Sequence, residues 1–197
     1  MPESTSSPVK IDGRRLRSDR SRQLIIESML QLIKQGNLAP TAQQVADHAK
    51  VGIRSVFRHF EDMEAIFATA DELWRKEFNY SLLAIDAKLP VKQRITLTVE
   101  KLGKLYEDQK NILKSTATRR WRSAFLTHNY ARYQNQLRSD ISSWLPELKQ
   151  LSASKQEAII GILSFEYWDR LRDHQSQSST ASIDLIIDLL SSLISQP

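Results

Sequence analysis

The sequence predicts an all-α protein, with a small helix-turn-helix domain at the N-terminus and a larger helical domain after it. Two observations predict this class. Apolar residues recur every three or four positions in nearly every segment of the 197-residue chain, and no stretch alternates strictly between apolar and polar residues. Charge is also uneven: residues 1–60 hold 10 basic and 5 acidic side chains, whereas residues 61–197 hold 18 of each. We therefore expect a basic module that faces a polyanion, joined to a neutral body.

The first segment, residues 1–17, predicts a flexible basic arm. It is rich in Ser and Pro, has almost no apolar side chains, and carries Arg14, Arg15 and Arg17 close together. From Ser18 onward the apolar residues follow a helical repeat, and Gly36 with Asn37 ends that repeat. The pattern predicts a first helix that begins at Ser18.

Two short helices follow the first one. Thr41 precedes Gln44 by three positions, which is the pattern of a capping box and predicts a helix over residues 42–49. A turn of three residues then leads to a second short helix over residues 53–60. Because so tight a turn prevents the helices from lying antiparallel, they must cross at a steep angle.

The spacing within these two helices is typical of a helix-turn-helix. Ala46 supplies the small residue at which the second helix packs closely, and Val56, ten positions later, supplies its apolar contact. The outer side of the second helix then carries four polar side chains that can bond to bases or phosphates in a major groove: Arg54, Ser55, Arg58 and His59.

The remaining segments predict a helical domain over residues 63–197, after a DNA-binding domain over residues 18–62. A longer helix begins near Met63, and helical spacing recurs over residues 95–113, 114–145 and 153–172. A polar loop of Gln, Ser and Thr then precedes the last helix.

Composition excludes several other classes of site. The five glycines lie too far apart for a phosphate-binding loop, and without cysteine the chain has neither disulfides nor thiolate metal sites. The four histidines show no ligand pairing, so we expect no metal and no cofactor. A helical enzyme stays open as an alternative because Asp169 and Asp173 share a helix face, although a solvated face explains them equally well. No signal peptide or membrane span is evident, which predicts a soluble cytoplasmic protein.

The stretch from Thr41 to Phe60 resembles helix two, the turn and the recognition helix of the TetR family of bacterial transcriptional regulators. The ending Phe57-Arg58-His59-Phe60 is typical of that family, and the resemblance in motif and layout covers residues 18–75. It implies a homodimeric DNA-binding regulator, a repressor in most cases, and not an enzyme. Two departures stand out: Lys50 where the family usually has Gly, and Glu61-Asp62 where it often has a basic residue.

The resemblance, together with side-chain chemistry, implies roles for single residues. Thr41 and its helix N-terminus would bind a phosphate, and Arg54 would read a base. Ser55 and Phe57 would lie against the sugar-phosphate backbone, and the arginines of the arm would follow the flanking minor groove or the backbone. Gln44 is expected to cap its helix. The predicted DNA contacts are Arg14, Arg15, Arg17, Thr41, Gln43, Arg54, Ser55, Phe57, Arg58 and His59.

The last helix is apolar on two sides, which predicts that it packs on its own body and on a second copy of the chain. With residues 153–172 it would form a four-helix dimer interface, and an interface wholly inside one chain is the alternative. The predicted dimer residues are Tyr167, Leu171, Ile183, Ile186, Ile187, Leu190 and Ile194. A twofold dimer would place its recognition helices roughly 34–36 Å apart, which predicts a palindromic operator.

The family resemblance also implies a small-molecule effector that releases DNA. Six aromatic residues could line its cavity, although aromatic residues at helical spacing also serve as ordinary core: Trp74, Phe78, Trp121, Phe125, Tyr130 and Phe165. An architectural or cell-division-linked DNA-binding protein without an effector is the alternative function on the same scaffold. In either case the protein would be found in the bacterial cytoplasm, on the nucleoid when bound to DNA.

Overall fold

The computed structural model describes residues 13–77 and 84–195, and these ranges contain helices and turns but no strand. The all-α prediction is confirmed. The helices are α1 Gly13–Lys34, α2 Ala42–Ala49, α3 Ile53–His59, α4 Met63–Glu77, α5 Val91–Arg119, α6 Ala124–Trp144, α7 Ala153–Ile162, α8 Phe165–Asp169 and α9 Ser179–Ser195. A π-helical turn, Arg170–His174, extends α8. In the described ranges no helix is both long and apolar enough to cross a membrane.

The chain divides into two compact units, one up to Trp74 and the other from Arg75 onward. This division falls inside α4, beyond residue 62, where the sequence places the end of the DNA-binding domain. In the first unit α1, α2 and α3 pack on one another. Their shared core includes five apolar side chains that are completely buried: Ile25, Met29, Val45, Ala46 and Val56.

The structure differs from the sequence prediction at the start of α1. The helix begins at Gly13 rather than at Ser18, so residues 13–17 belong to a helix and not to a flexible arm. Arginine and leucine favour helices, and no proline interrupts residues 13–34, which lets the helix extend beyond the part that it buries. The rest of the predicted arm, residues 1–12, lies outside the described residues.

The second unit is built around α5, which packs against α6, α8 and α9. Its buried side chains meet those of the other helices in one hydrophobic cluster that includes Leu102, Leu137, Ile141, Ile159 and Leu190. Because α5 supplies a long buried face, the later helices can pack on it in turn without needing a sheet or a metal.

A buried arginine joins the start of α5 to the end of α6. Arg94 is 4% exposed, and its guanidinium donates hydrogen bonds to the backbone oxygens of Leu89, at 2.8 Å, and Trp144, at 2.9 Å. It also forms a two-pronged ion pair with Glu147, which raises the pKa of Arg94 and lowers that of Glu147 mainly through their hydrogen bonds. Both groups are therefore charged and hydrogen-bonded at a buried position, where an unpaired charge would be costly.

A glycine allows the closest approach between α5 and α8. A Cβ atom at Gly103 would lie 2.7 Å from Cη2 of Trp168, so no larger residue fits without moving the indole. Trp168 is 3% exposed, and its Nε1–H donates to Glu107 at 3.1 Å. Tyr106, one turn further along α5, donates to the backbone oxygen of Leu163 at 2.6 Å. The ring of Trp168 is thus held in place by packing and by a hydrogen bond.

We expect Gly103→Ala to destabilise the protein by about 1–3 kcal/mol, since overpacking a rigid core side chain has this typical cost. Gly161→Ala is the matched control: a Cβ there meets nothing within 4 Å, so it should stabilise α7 by about 0.5–1 kcal/mol. Urea unfolding followed by circular dichroism measures both. Equal effects of the two substitutions would contradict the assigned contact.

Candidate nucleic-acid interface

The N-terminus of α2 is fixed by a reciprocal cap. The Thr41 hydroxyl accepts a hydrogen bond from the Gln44 backbone N–H at 3.3 Å, while the Gln44 side chain accepts one from the Thr41 N–H at 2.9 Å. The predicted capping box is therefore confirmed, with Gln44 as its capping residue. Thr41 is exposed beside the remaining N–H groups of the first turn, where an anion would be favoured.

The turn between α2 and α3 depends on a left-handed residue. Lys50 has φ 55° and ψ 41°, as expected for the position at which the family usually has glycine. Two backbone hydrogen bonds close the turn, from Val51 N–H to the Ala46 oxygen at 3.0 Å and from Lys50 N–H to the Asp47 oxygen at 3.2 Å. This is a Schellman motif, in which a non-glycine residue costs roughly 1 kcal/mol or more.

The same motif ends α1, but there with a glycine. Gly36 has φ 98°, and the N–H groups of Gly36 and Asn37 bond to the oxygens of Ile33 and Leu32. The sequence prediction that Gly36 ends the first helix is confirmed. The comparison shows that Lys50 carries a backbone strain that the chain avoids at the end of α1.

The outer face of α3 is defined by what the helix buries. Val56 is completely buried, whereas Phe57 is 49% exposed and Ile53, one turn earlier, is 39% exposed. Arg54 is exposed on the same helix and has no hydrogen bond or ion pair with any residue that the structure describes. The face therefore combines a free guanidinium, which can read guanine, with apolar groups that can contact a thymine methyl.

Sequence reasoning gave Ile53 no role, yet the structure leaves it exposed beside Phe57. The spacing of four residues between the two carries the signal, because it places both on one side of α3.

Ser55 and Arg58 are already engaged with each other. Arg58 Nη2 donates to Ser55 Oγ at 2.8 Å, and Ser55 Oγ lies 3.5 Å from the Ser21 hydroxyl on α1. The half-buried serine thus connects α3 to α1 and restricts the arginine, whose guanidinium keeps further N–H groups for a ligand.

His59 is less accessible to a ligand than its neighbours on α3. Its ring is half-buried, and Nε2 is shielded from solvent without a hydrogen-bond partner in the described ranges. Burial lowers the pKa of His59, and the nearby cations Arg58 and Arg22 lower it further, against a smaller opposing effect of Asp19. The imidazole is therefore neutral at pH 7 and provides no cation for a phosphate.

Two residues that follow or support α3 have structural roles. Asp62 Oδ1 accepts the backbone N–H of Ala65 at 2.8 Å and so caps α4, which explains an acidic residue at this position. Arg22 of α1 lies over the ring of the buried Phe60, 4.9 Å from its centroid.

The other predicted DNA contacts lie on the surface of the first unit. Arg14, Arg15 and Arg17 are exposed on the first turns of α1, whose first fully buried residue is Ile25. Gln43 is exposed on α2 and donates to Asp47 at 2.7 Å.

The structure does not bring the predicted cavity aromatics together. Trp121 is 72% exposed and Phe125 is 42% exposed, whereas Phe165 is buried edge-to-face against Tyr106, with centroids 5.6 Å apart. Tyr130 is half-buried and donates to Glu166, with Arg120 stacked 4.0 Å from its ring centroid. Trp74 is buried in the first unit, and Phe78 lies outside the described residues.

An apolar recess does occur elsewhere in the second unit. Its cavity volume is about 10 Å³, room for about one water molecule, whereas small-molecule sites typically have ~300–1,000 Å³. Its lining consists of Val99, Leu102, Gly103, Tyr106, Ile162, Leu163, Ser164, Trp168 and Ile186. None of these was predicted from the sequence as a pocket residue.

The predicted dimer residues fall into two groups. Leu171, Ile186 and Leu190 are buried within a single chain and form part of its core. The others are only half-buried, so they leave apolar surface for a second chain: Tyr167, Ile183, Ile187 and Ile194. Leu189, 37% exposed, adds to the apolar surface of α9.

No protein-family model and no curated protein matches the chain. Among solved structures, it is similar to a transcriptional regulator from Rhodococcus sp. Rha1, with 14% sequence identity and a TM-score of 0.63. The match covers 89% of this chain and 96% of the other. At this identity the likeness establishes a shared fold along nearly the full length of both chains.

We expect Lys50→Gly to stabilise the protein by about 0.5–1 kcal/mol, because glycine adopts the left-handed conformation without steric cost. Lys50→Ala removes the same charge but keeps the Cβ, so it should bring no such gain. The difference in urea midpoint between the two variants isolates the backbone effect. If Lys50→Ala raised the stability by the same amount, the gain would come from removal of the charge and not from the backbone conformation.

Proposed function

We propose that the protein is a sequence-specific DNA-binding transcriptional regulator, a repressor that binds a palindromic operator as a homodimer. The observation that carries the proposal is the exposed face of α3, where Arg54 has no partner in the described structure and lies among exposed apolar side chains. The resemblance of residues 41–60 to the TetR family and the fold shared with a transcriptional regulator support it. Such a protein would act on the nucleoid in the bacterial cytoplasm.

In this proposal Arg54 reads a base in the major groove. A guanidinium can bond bidentately to O6 and N7 of guanine, and such a pair is worth about 1–3 kcal/mol of discrimination. Phe57 and Ile53 would then contact the sugar or a thymine methyl on either side. Thr41 and Arg58 would bind phosphates, which fixes the register of α3 without adding sequence information.

The helical start of α1 changes how its arginines would act. An α-helix with its side chains is about 10–12 Å wide, whereas the minor groove of B-DNA is about 6 Å wide. For Arg14, Arg15 and Arg17 on a helix we therefore favour contacts along the phosphate backbone over the minor groove. Ser21, one turn after Arg17, lies against Ser55 and so brings α1 to the recognition helix.

Dimerisation would use the half-buried apolar residues of α8 and α9. Tyr167, Ile183, Ile187 and Ile194 would meet their counterparts across a twofold axis, while Ile186 and Leu190 hold α9 on its own body. Repression would then be steric, since an occupied operator excludes polymerase. Release by a small molecule would require the recess beside Gly103 to open, because its present volume is small.

Selection of binding sites from a random duplex library tests the function. We expect enrichment of a palindrome whose half-sites lie about one helical turn apart, and loss of preference at one base pair in Arg54→Ala, with an affinity cost of about 1–3 kcal/mol on the selected site. Arg20→Ala, which removes an exposed arginine of α1, is the control and should keep the preference. Binding without enrichment would favour an architectural protein, and no binding at any salt concentration would refute the proposal.

The role of the helical arginines is tested by a substitution that keeps every charge. Ser18→Pro prevents a continuous helix across residues 13–17, so these arginines become a flexible arm, and Ser18→Ala is the control. We expect a loss of roughly tenfold in DNA affinity and a shallower salt dependence for the proline variant, because phosphate contacts from a pre-ordered helix cost less entropy. Equal binding by both variants would mean that helical order here is irrelevant to DNA.

A further inference from the structure

The second unit contains a long segment without acidic residues. Between Asp108 and Asp140 there is no Asp or Glu, while the segment holds Lys110, Lys114, Arg119, Arg120, Arg122, Arg132 and Arg138. Several of these cations are neutralised by carboxylates from later helices: Lys110 and Lys114 pair with Asp173, Arg120 with Glu166 and Arg138 with Glu157.

Two arginines of this segment stay unpaired. Arg122 and Arg132 are exposed and form no ion pair with a residue in the ranges 13–77 and 84–195. Because Lys110, Lys114, Arg120 and Arg138 have carboxylate partners within the protein, Arg122 and Arg132 carry positive charge that no such partner neutralises in the described residues.

Trp121 lies next to this charge and is held in place although it is exposed. The side chain is 72% exposed, its Nε1–H donates to the backbone oxygen of Thr118 at 3.0 Å, and Arg122 stacks 4.3 Å from its ring centroid. The indole N–H is therefore already satisfied, so the ring offers apolar surface alone. A fixed aromatic ring in water loses little entropy when a partner covers it.

The first two turns of α6 extend the surface. Phe125, 42% exposed, is followed at helical spacing by His128 and Arg132, both exposed on the same side of α6. We name these five residues the Trp121 patch: Trp121, Arg122, Phe125, His128 and Arg132. The patch combines two exposed aromatic rings with two unpaired guanidinium groups, which are the side chains most enriched at the centres of protein interfaces.

We propose that the Trp121 patch is a docking site for an acidic protein segment that carries an apolar side chain. Carboxylates of that segment would bind Arg122 and Arg132, and its apolar side chain would cover Trp121 and Phe125. A membrane surface fits less well, because it needs a whole apolar helix face, whereas His128 and Arg132 make this one polar. A single nucleic-acid strand fits less well too, because it is bound along a groove with a row of cations.

The chain contains its own reporter for this site. Of its four tryptophans, Trp74, Trp144 and Trp168 are at most 5% exposed, so acrylamide quenching of fluorescence reports mainly on Trp121. The probe is a short peptide of glutamates around a central pair of leucines. Two control peptides keep the leucines but replace the glutamates, one with lysines and the other with glutamines. We expect the glutamate peptide alone to protect Trp121 from acrylamide and to shift its emission to the blue.

Fluorescence anisotropy of the labelled glutamate peptide measures its affinity for variants of the protein and so tests which residues bind it. We expect Trp121→Ala and Arg122→Ala to weaken it at least tenfold, and Lys149→Ala, which removes an exposed cation elsewhere in the second unit, to leave it unchanged. Circular dichroism verifies that each variant is folded. The proposal is overturned if Trp121 stays fully quenchable, if Lys149→Ala weakens binding equally, or if only phosphatidylglycerol vesicles or single-stranded DNA protect the indole. None of these outcomes depends on α3, so they leave the proposed DNA-binding function untouched.

Discussion

The left-handed turn at Lys50 is the constraint on which the candidate interface depends. It ends α2 and starts α3 within three residues, so it fixes which side of α3 meets the core and which side faces outward. Ala46 and Val56 can then pack with no exposed surface, and Arg54 and Phe57 are left outside. The strain at Lys50 is therefore tolerated because the packing of both helices maintains it.

The second unit depends on a different constraint, the close approach between α5 and α8. Gly103 leaves room for the indole of Trp168. One turn further along α5, the Tyr106 hydroxyl donates a hydrogen bond to the backbone oxygen of Leu163. Near the start of α5, the Arg94 side chain fixes the end of α6 through hydrogen bonds to a backbone oxygen and to a carboxylate. The charged groups here are bound inside one chain and satisfied there, so we regard them as structural. No protein partner or ligand is needed to explain them.

How much the sequence predicts follows from how local each signal is. The capping box at Thr41 and the stop at Gly36 were both predicted, since each involves residues within a few positions of one another. The early start of α1 was not predicted, because an exposed basic helix has the same composition as a flexible arm. Trp121 and Phe125 were expected in a cavity, yet they are exposed: helical spacing shows that residues share a face, but only the tertiary fold decides whether that face is covered. For the same reason Leu171, Ile186 and Leu190 could not be distinguished from interface residues before the packing of α9 was known.

The charges show why composition alone points to only one of the two candidate surfaces. Residues 61–197 hold equal numbers of acidic and basic side chains, so on composition the body is neutral and featureless. The structure separates cations with internal partners, such as Lys110 and Lys114, from cations without one in the described residues, such as Arg122 and Arg132. The same criterion distinguishes Arg54 on α3 from Arg58, which is held by Ser55. An exposed guanidinium without an internal partner costs the fold little and contributes little to it, so its value to the protein lies in what it can bind. By that argument the unpaired arginines beside exposed aromatic rings, on α3 and at the start of α6, are the positions from which binding partners should be sought.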